Sequence, residues 1–237
     1  RQYIQQLSNT ITISPTDIWK LSDSYIKPQT GQQFSLGFYK NFHSNNIETS
    51  VEFYYKDLYN ILDFKSGATV LLNPHLETDV INSKGKAYGA EFLVKKLSGK
   101  LNGWLSYTYS RTFLKSDDPL AGESINNGSY YPASYDKPNA VNLIANYKFS
   151  HRLSLSVNSV YSTGRPITLP IAVFYSNGAA RLLYSERNAY RIPDYIRTDI
   201  SVNLDGNYKI KQTLHNSWTF GVYNVFARRN VYSAYFV

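Results

Sequence analysis

Gln33-Phe34-Ser35-Leu36-Gly37-Phe38-Tyr39 places Phe34, Leu36 and Phe38 on one side of an extended chain and Gln33, Ser35 and Gly37 on the other. The same period of two returns along the chain. Val51, Phe53 and Tyr55 oppose Ser50, Glu52 and Lys56; Tyr88, Ala90, Phe92 and Val94 oppose Gly89, Glu91 and Lys95; Leu105, Tyr107 and Tyr109 oppose Ser106, Thr108 and Ser110. Val141, Leu143, Ala145 and Tyr147 continue it, then Leu153, Leu155 and Val157, then Ile196, Ile200, Val202 and Leu204, and less cleanly Trp218, Phe220 and Val222. Eight strands are predicted, at 33–42, 47–58, 85–97, 101–113, 139–150, 152–163, 195–206 and 216–227. Strands of soluble domains usually run about five or six residues, whereas a tilted strand crossing a bilayer needs about nine to eleven. These strands are of the second kind.

Composition and punctuation agree. All nine prolines fall outside the eight strands, as the loss of a ladder donor requires. Aromatic residues make up 16% of the 237-residue chain, with 22 tyrosines, while charged residues reach only 18%. Such a composition excludes a disordered chain, and the absence of any long apolar run excludes a transmembrane helix. With no cysteine there is no disulfide, thiolate site or cysteine nucleophile. The net charge of +8 suits anionic partners, but the basic residues form no aromatic-lined groove, so nucleic-acid binding is not expected.

Connections alternate between short (43–46, 98–100, 151) and long (59–84, 114–138, 164–194), with an intermediate one at 207–215. Outer-membrane barrels have this asymmetry, with tight periplasmic turns and long extracellular loops. On that orientation the first strand descends from outside and the last climbs back, so both ends lie outside. A self-contained small barrel fits this poorly, and a segment of a larger one fits well. At about 24 residues per strand, a 22-stranded barrel would take on the order of 540 residues.

Ser14-Pro15-Thr16-Asp17-Ile18-Trp19-Lys20-Leu21-Ser22-Asp23, GKAYGAEFLVKK at 85–96, GWLSYTYSRT at 103–112, YSTGRP at 161–166, RIPDYIRTDIS at 191–201 and Val222-Tyr223-Asn224-Val225-Phe226 resemble, in this order, the C-terminal part of the barrel of TonB-dependent outer-membrane receptors. The resemblance is to those whose plug follows a carboxypeptidase-regulatory-like domain. It implies an all-β, antiparallel transmembrane β-barrel segment of about eight to ten strands, spanning residues 1–237 without the plug or the final strand. It also implies a place in the bacterial outer membrane, and uptake of a scarce ligand such as a siderophore, glycan or peptide. The implied partners are the TonB complex through a missing N-terminal region, the plug, outer-membrane lipid and a surface lipoprotein lid. Two rivals remain open on the residues themselves: a small complete barrel acting as channel or adhesin, and a soluble β-sandwich carbohydrate-binding module that buries the Phe34, Leu36 and Phe38 face.

Catalysis is not expected. His43 and His151 fall in predicted turns, His75 in a long loop and His215 before a strand, none at metal-ligand spacing, and neither a metal nor a cofactor is called for. Asp117-Asp118 reads as a solvated turn rather than a catalytic pair. Glu52 and Glu91, with Arg197 and Asp199, are candidates for the lumen face; Arg197 with Asp199 reads as a wall ion pair ahead of ligand guidance. Loop residues Tyr130, Tyr131, Tyr135, Arg165, Tyr184, Arg187 and Arg191 are candidate ligand contacts, with packing of the loops on one another as the alternative.

Overall fold

The computed structural model describes residues 4–7, 18–65, 68, 73, 75–118, 123–206 and 216–231. Its main sheet contains eight long strands: β1 (Thr30–Phe42), β2 (Ile47–Phe64), β3 (Val80–Lys96), β4 (Leu101–Lys115), β5 (Asn139–Lys148), β6 (Leu153–Ser162), β7 (Tyr195–Asp205) and β8 (Ser217–Val222). Each pairs antiparallel with its neighbour in sequence, giving an up-and-down meander from β1 to β8. Among the described residues β1 and β8 have one neighbour each, so the sheet is open. All eight predicted strands are present.

The ladder keeps one face apolar from edge to edge. Phe38 stands opposite Val51, and the row continues through Phe92, Tyr107, Val141 and Tyr161 to Ile196. Because side chains alternate, a one-residue slip anywhere would turn a strand's apolar set to the polar face. Where hydroxyls interrupt the apolar face they satisfy each other: Ser159 and Thr198 share a 2.8 Å hydrogen bond. No second sheet covers this face among the described residues; Phe34, Leu36 and Phe38 are all well exposed, which argues against the sandwich. Gly103, opposite Ala145, has a φ of 142°, and a Cβ there would run into the Ile144 carbonyl oxygen. Only glycine lets β4 and β5 approach so closely.

Strand ends differ from the sequence reading. β2 runs to Phe64 rather than 58, β3 begins at Val80 rather than 85, and β4 reaches Lys115 rather than 113. A register shift between Leu58 and Ile61, with Asn60 at φ 57°, breaks the alternation that marked β2. Beyond it the polar face becomes apolar, because Ile61, Ile81 and Leu114 are covered by a returning loop. At the other end β8 stops at Val222 rather than 227: Asn224 turns at φ 52°, and its N–H donates to Asp199 Oδ1 at 2.8 Å. Short ribbons also form outside the main strands, Ile4–Leu7 with Ile18–Leu21 and Pro170–Ser176 with Ala179–Tyr184. Residues 14–17 of the stretch quoted above, together with His215, lie outside the described residues.

Phe92→Lys, on the apolar row, is expected to destabilise the sheet in a bilayer by about 2–4 kcal/mol, while Ser106→Lys on the polar face is tolerated. Heat-modifiable gel migration of the two variants checks this.

Candidate functional site

The long loops close over one end of the sheet on its polar side. Ile81, Leu114, Ile125, Tyr131 and Ala133 form a small core there, with Ile61 packed against it. Segment 131–132 pairs with Phe113 and Leu114, which turns the Tyr131 ring inward next to Leu114. Tyr131 is 1% exposed. Its hydroxyl donates to Asp63 Oδ2 at 2.6 Å and lies 3.0 Å from Ser116 Oγ, which in turn lies 2.5 Å from Ser83 Oγ. Burial, and next the neighbouring Asp63 carboxylate, push the Tyr131 hydroxyl well above its ordinary pKa, so it remains a donor at any physiological pH.

Two arginines from 164–194 staple that loop to the others. Arg187 Nη1 lies 3.0 Å from Asp63 Oδ1, and Nη2 donates to the Phe64 carbonyl at 2.9 Å. Its backbone N–H donates to Asn126 Oδ1 at 2.8 Å, and Asn126 Nδ2 returns a bond to the Arg187 carbonyl. Arg191 Nη1 donates to the carbonyls of Asp136 and Gly164, at 2.8 and 2.9 Å, and Nη2 pairs with Asp136 Oδ2. The Asp136 residue is 2% exposed. It also accepts from the Thr112 N–H at 2.7 Å and lies 3.4 Å from Arg111 Nε. Buried carboxylates require such partners, and here the partners come from two separate stretches of chain, β4 and the 164–194 loop. Asn188 adds a bond from Nδ2 to the Pro132 carbonyl at 2.8 Å.

The candidate residues are thus divided. Tyr131, Arg187 and Arg191 are engaged in joining loop to loop. Tyr135 and Tyr184 are exposed, Tyr184 on a ribbon (170–184) whose Tyr175 is 80% exposed. Arg165 is half-buried on the same long loop, where its carbonyl accepts from the Ile192 N–H at 3.1 Å. Tyr130 points the other way, onto the apolar side, where Lys86 Nζ sits 4.0 Å above its ring. Asp63, Asp136, Asn126 and Asn188 were not legible as site residues. Asp63 falls in the predicted long connection 59–84, and Asp136 is a lone acid before Lys137-Pro138; only folding brings the cations to them.

On the polar face Glu52 and Glu91 stand directly opposite each other. Tyr39 donates to Glu52 at 3.3 Å, and a Cβ at Gly89 would come within 2.7 Å of the Tyr54 hydroxyl packed over it. Arg197 Nε binds both Asp199 oxygens, at 3.0 and 3.1 Å, and Asp199 also holds the Asn224 turn. Glu48 pairs with Lys95 at 3.2 Å. No group of three metal-ligating side chains occurs among the described residues. Asp117 pairs with Lys115 at 3.2 Å rather than with Asp118.

Arg191→Ala is expected to leave the buried Asp136 carboxylate with only Arg111, 3.4 Å away, and the Thr112 N–H as partners, at a cost of about 1.5–3 kcal/mol to the loop assembly. Amide exchange across 163–194 should rise strongly, and Asp136→Asn combined with Arg191→Gln should cost less than the two changes summed. A second latch has a pH signature. The Gly164 N–H, first, and the Tyr161 hydroxyl hold the Asp194 carboxyl below its ordinary pKa, at 2.9 and 2.8 Å. A depressed pKa contributes stability above the unfolded value of about 3.9, lost only as pH falls through the lower folded value. Gly164 exchange is therefore expected to stay slow at pH 4 and to accelerate below it, and Asp194→Asn to remove that step.

The fold and the sequence have clear relatives. The family described as TonB dependent receptor-like, beta-barrel matches residues 3–225. Among solved structures the chain is similar to the ferripyoverdine receptor of the outer membrane of Pseudomonas aeruginosa bound to ferripyoverdine, with a TM-score of 0.57 at 16% identity, covering 86% of this chain and 24% of that one. It is likewise similar to FpvAI in its complex with pyocin S2, with a TM-score of 0.57 at 16% identity, covering 86% and 26%. No curated protein matches the sequence. The chain spans about a quarter of the structures it resembles. Its apolar face is accordingly the lipid face and its polar face the lumen, and the chain belongs to the TonB-dependent receptor β-barrel family of the outer membrane.

Proposed function

We propose that this chain is part of the wall and extracellular lip of a larger barrel that takes up a scarce ligand, a siderophore, glycan or peptide, with energy delivered through TonB to a plug. The observation that carries the reading is the joining of loops 116–138 and 163–194 into one platform on the lumen side, through Asp136 with Arg191 and Asn126 with Arg187, and its anchoring to the end of β2 through Asp63 with Arg187. A lip fixed this way holds its exposed aromatic and basic side chains in a constant arrangement, which lowers the entropy cost of binding. The open meander, with single neighbours at β1 and β8, supports a share in a larger barrel over a closed eight-stranded one. A plug and a TonB contact are the partners this function requires, and a surface lipoprotein lid is a further partner compatible with it.

Within that reading Tyr135, Arg165 and Tyr184 are the ligand contacts, while Tyr131, Arg187 and Arg191 hold the lip that presents them. The test uses the complete receptor in cells. Ferric siderophores, oligosaccharides and short peptides carrying a label are offered to cells with and without functional TonB. Accumulation of one class, lost without TonB and reduced about tenfold by Tyr135→Ala with Arg165→Ala at unchanged receptor level, is the expected result. Uptake that persists without TonB would overturn the reading.

A further inference from the structure

The lipid face of β3 reads, every second residue, Lys96, Val94, Phe92, Ala90, Tyr88, Lys86, Lys84. Lysines bracket an apolar run. From Lys96 to Lys86 is ten residues; at about 3.3 Å per residue and a tilt near 45° this interval rises about 23 Å, close to the height of about 25 Å for the apolar band of an outer-membrane barrel. The lower lysine therefore sits at the periplasmic boundary, and Lys86 and Lys84 at the headgroup level of the outer leaflet.

At that level cations gather. Lys84 stands directly opposite Lys115 of β4, an arrangement of like charges that destabilises a sheet unless something offsets it. Lys86, two residues along, lies over Tyr130 and within 6.0 Å of the Phe113 ring centre. Nearby carboxylates leave the cluster cationic. Asp57, opposite Lys86, accepts the Tyr55 hydroxyl at 3.0 Å, and Asp117 reaches Lys115 at 3.2 Å; neither Lys84 nor Lys86 has an acidic partner among the described residues. Just below the lysines the same face is aromatic, with Tyr88 stacked on Phe113 at 6.4 Å between ring centres.

We infer that Lys84, Lys86 and Lys115, with Tyr130 beside them, form a site for the phosphate of an outer-leaflet lipid headgroup, the acyl chains of that lipid lying along Tyr88 and Phe92. Two lysines opposite each other in register and a third two residues along concentrate positive charge that a phosphate dianion neutralises, and the charge is attached to the one class of molecule whose apolar part matches the face beneath. Lipid held here braces β3 and β4 under the loop platform. The site depends on the membrane-spanning barrel and not on which ligand is transported.

The complete receptor, reconstituted in nanodiscs with a bis-phosphorylated glycolipid, its dephosphorylated counterpart and phosphatidylethanolamine, tests this by native mass spectrometry. Lys84→Gln/Lys86→Gln/Lys115→Gln is expected to lower retention of the phosphorylated glycolipid at least tenfold, with no change for the other two lipids. Lys40→Gln/Lys96→Gln, on the same face at the periplasmic boundary, should leave it unchanged. Equal retention by the triple variant, equal retention of the dephosphorylated lipid, or displacement by millimolar inorganic phosphate would each overturn the site. Heat-modifiable migration and ligand uptake measured on the same preparations show whether a loss arises from misfolding or from the transport reading instead.

Discussion

In hydrocarbon no water is present to complete an unpaired N–H or C=O, so each strand in the bilayer must satisfy its backbone through its neighbours. The meander from β1 to β8 is the direct answer to that requirement, and nearly everything else in the molecule depends on its register. The register carries a row from Phe38 to Ile196 across seven strands without a slip, which is what makes one face fit for lipid and the other for a wet lumen. Even the exceptions obey the rule. The hydroxyls of Ser159 and Thr198 on the lipid face pair with each other, and Gly103 stands where β4 and β5 come too close for a side chain.

Above the membrane a different force takes over. Strands β2, β3 and β4 outrun the span, and their polar-side residues become apolar to receive the loops. The loops in turn are fixed by carboxylate–arginine pairs, the half-buried Asp63 with Arg187 and the buried Asp136 with Arg191. Such pairs add little net stability over an apolar packing of the same shape, but they are strongly directional and costly to break singly. That combination suits a lip whose shape has to be specified. The ribbon at 170–184, apolar and exposed on both faces, is by contrast held mainly through its two ends, where Leu169 and Ser185 meet.

Charge follows the same division of levels. Within the wall, ions are paired along or across strands, as in Arg197 with Asp199 and Glu48 with Lys95. At the edge of the apolar band on β3, among the described residues, Lys84 and Lys86 have no acidic partner, and Lys86 is set beside aromatic rings. The arrangement makes physical sense where the surroundings themselves change from hydrocarbon to headgroup.

Eight strands, their order along the chain and the face taken by their alternating residues within the span followed from the sequence alone, because side-chain alternation and proline placement are local properties that a bilayer makes unusually strict. The alternation of short and long connections likewise set the expected orientation. Where the chain left the membrane that legibility ended: the bulge at Asn60 shifted the register, and the added turns of β2 and β3 obeyed the shape of a loop core rather than a period of two. The partners of Arg187 and Arg191 lie 124 and 55 residues away, and no local pattern encodes such a distance. Tyr130 and Tyr131, adjacent in sequence and alike in composition, ended on opposite sides of the wall, one over Lys86 and one against Asp63. Tertiary structure decided that, because the return of 131–132 along β4 sets which of the two faces the loop core and which faces the membrane.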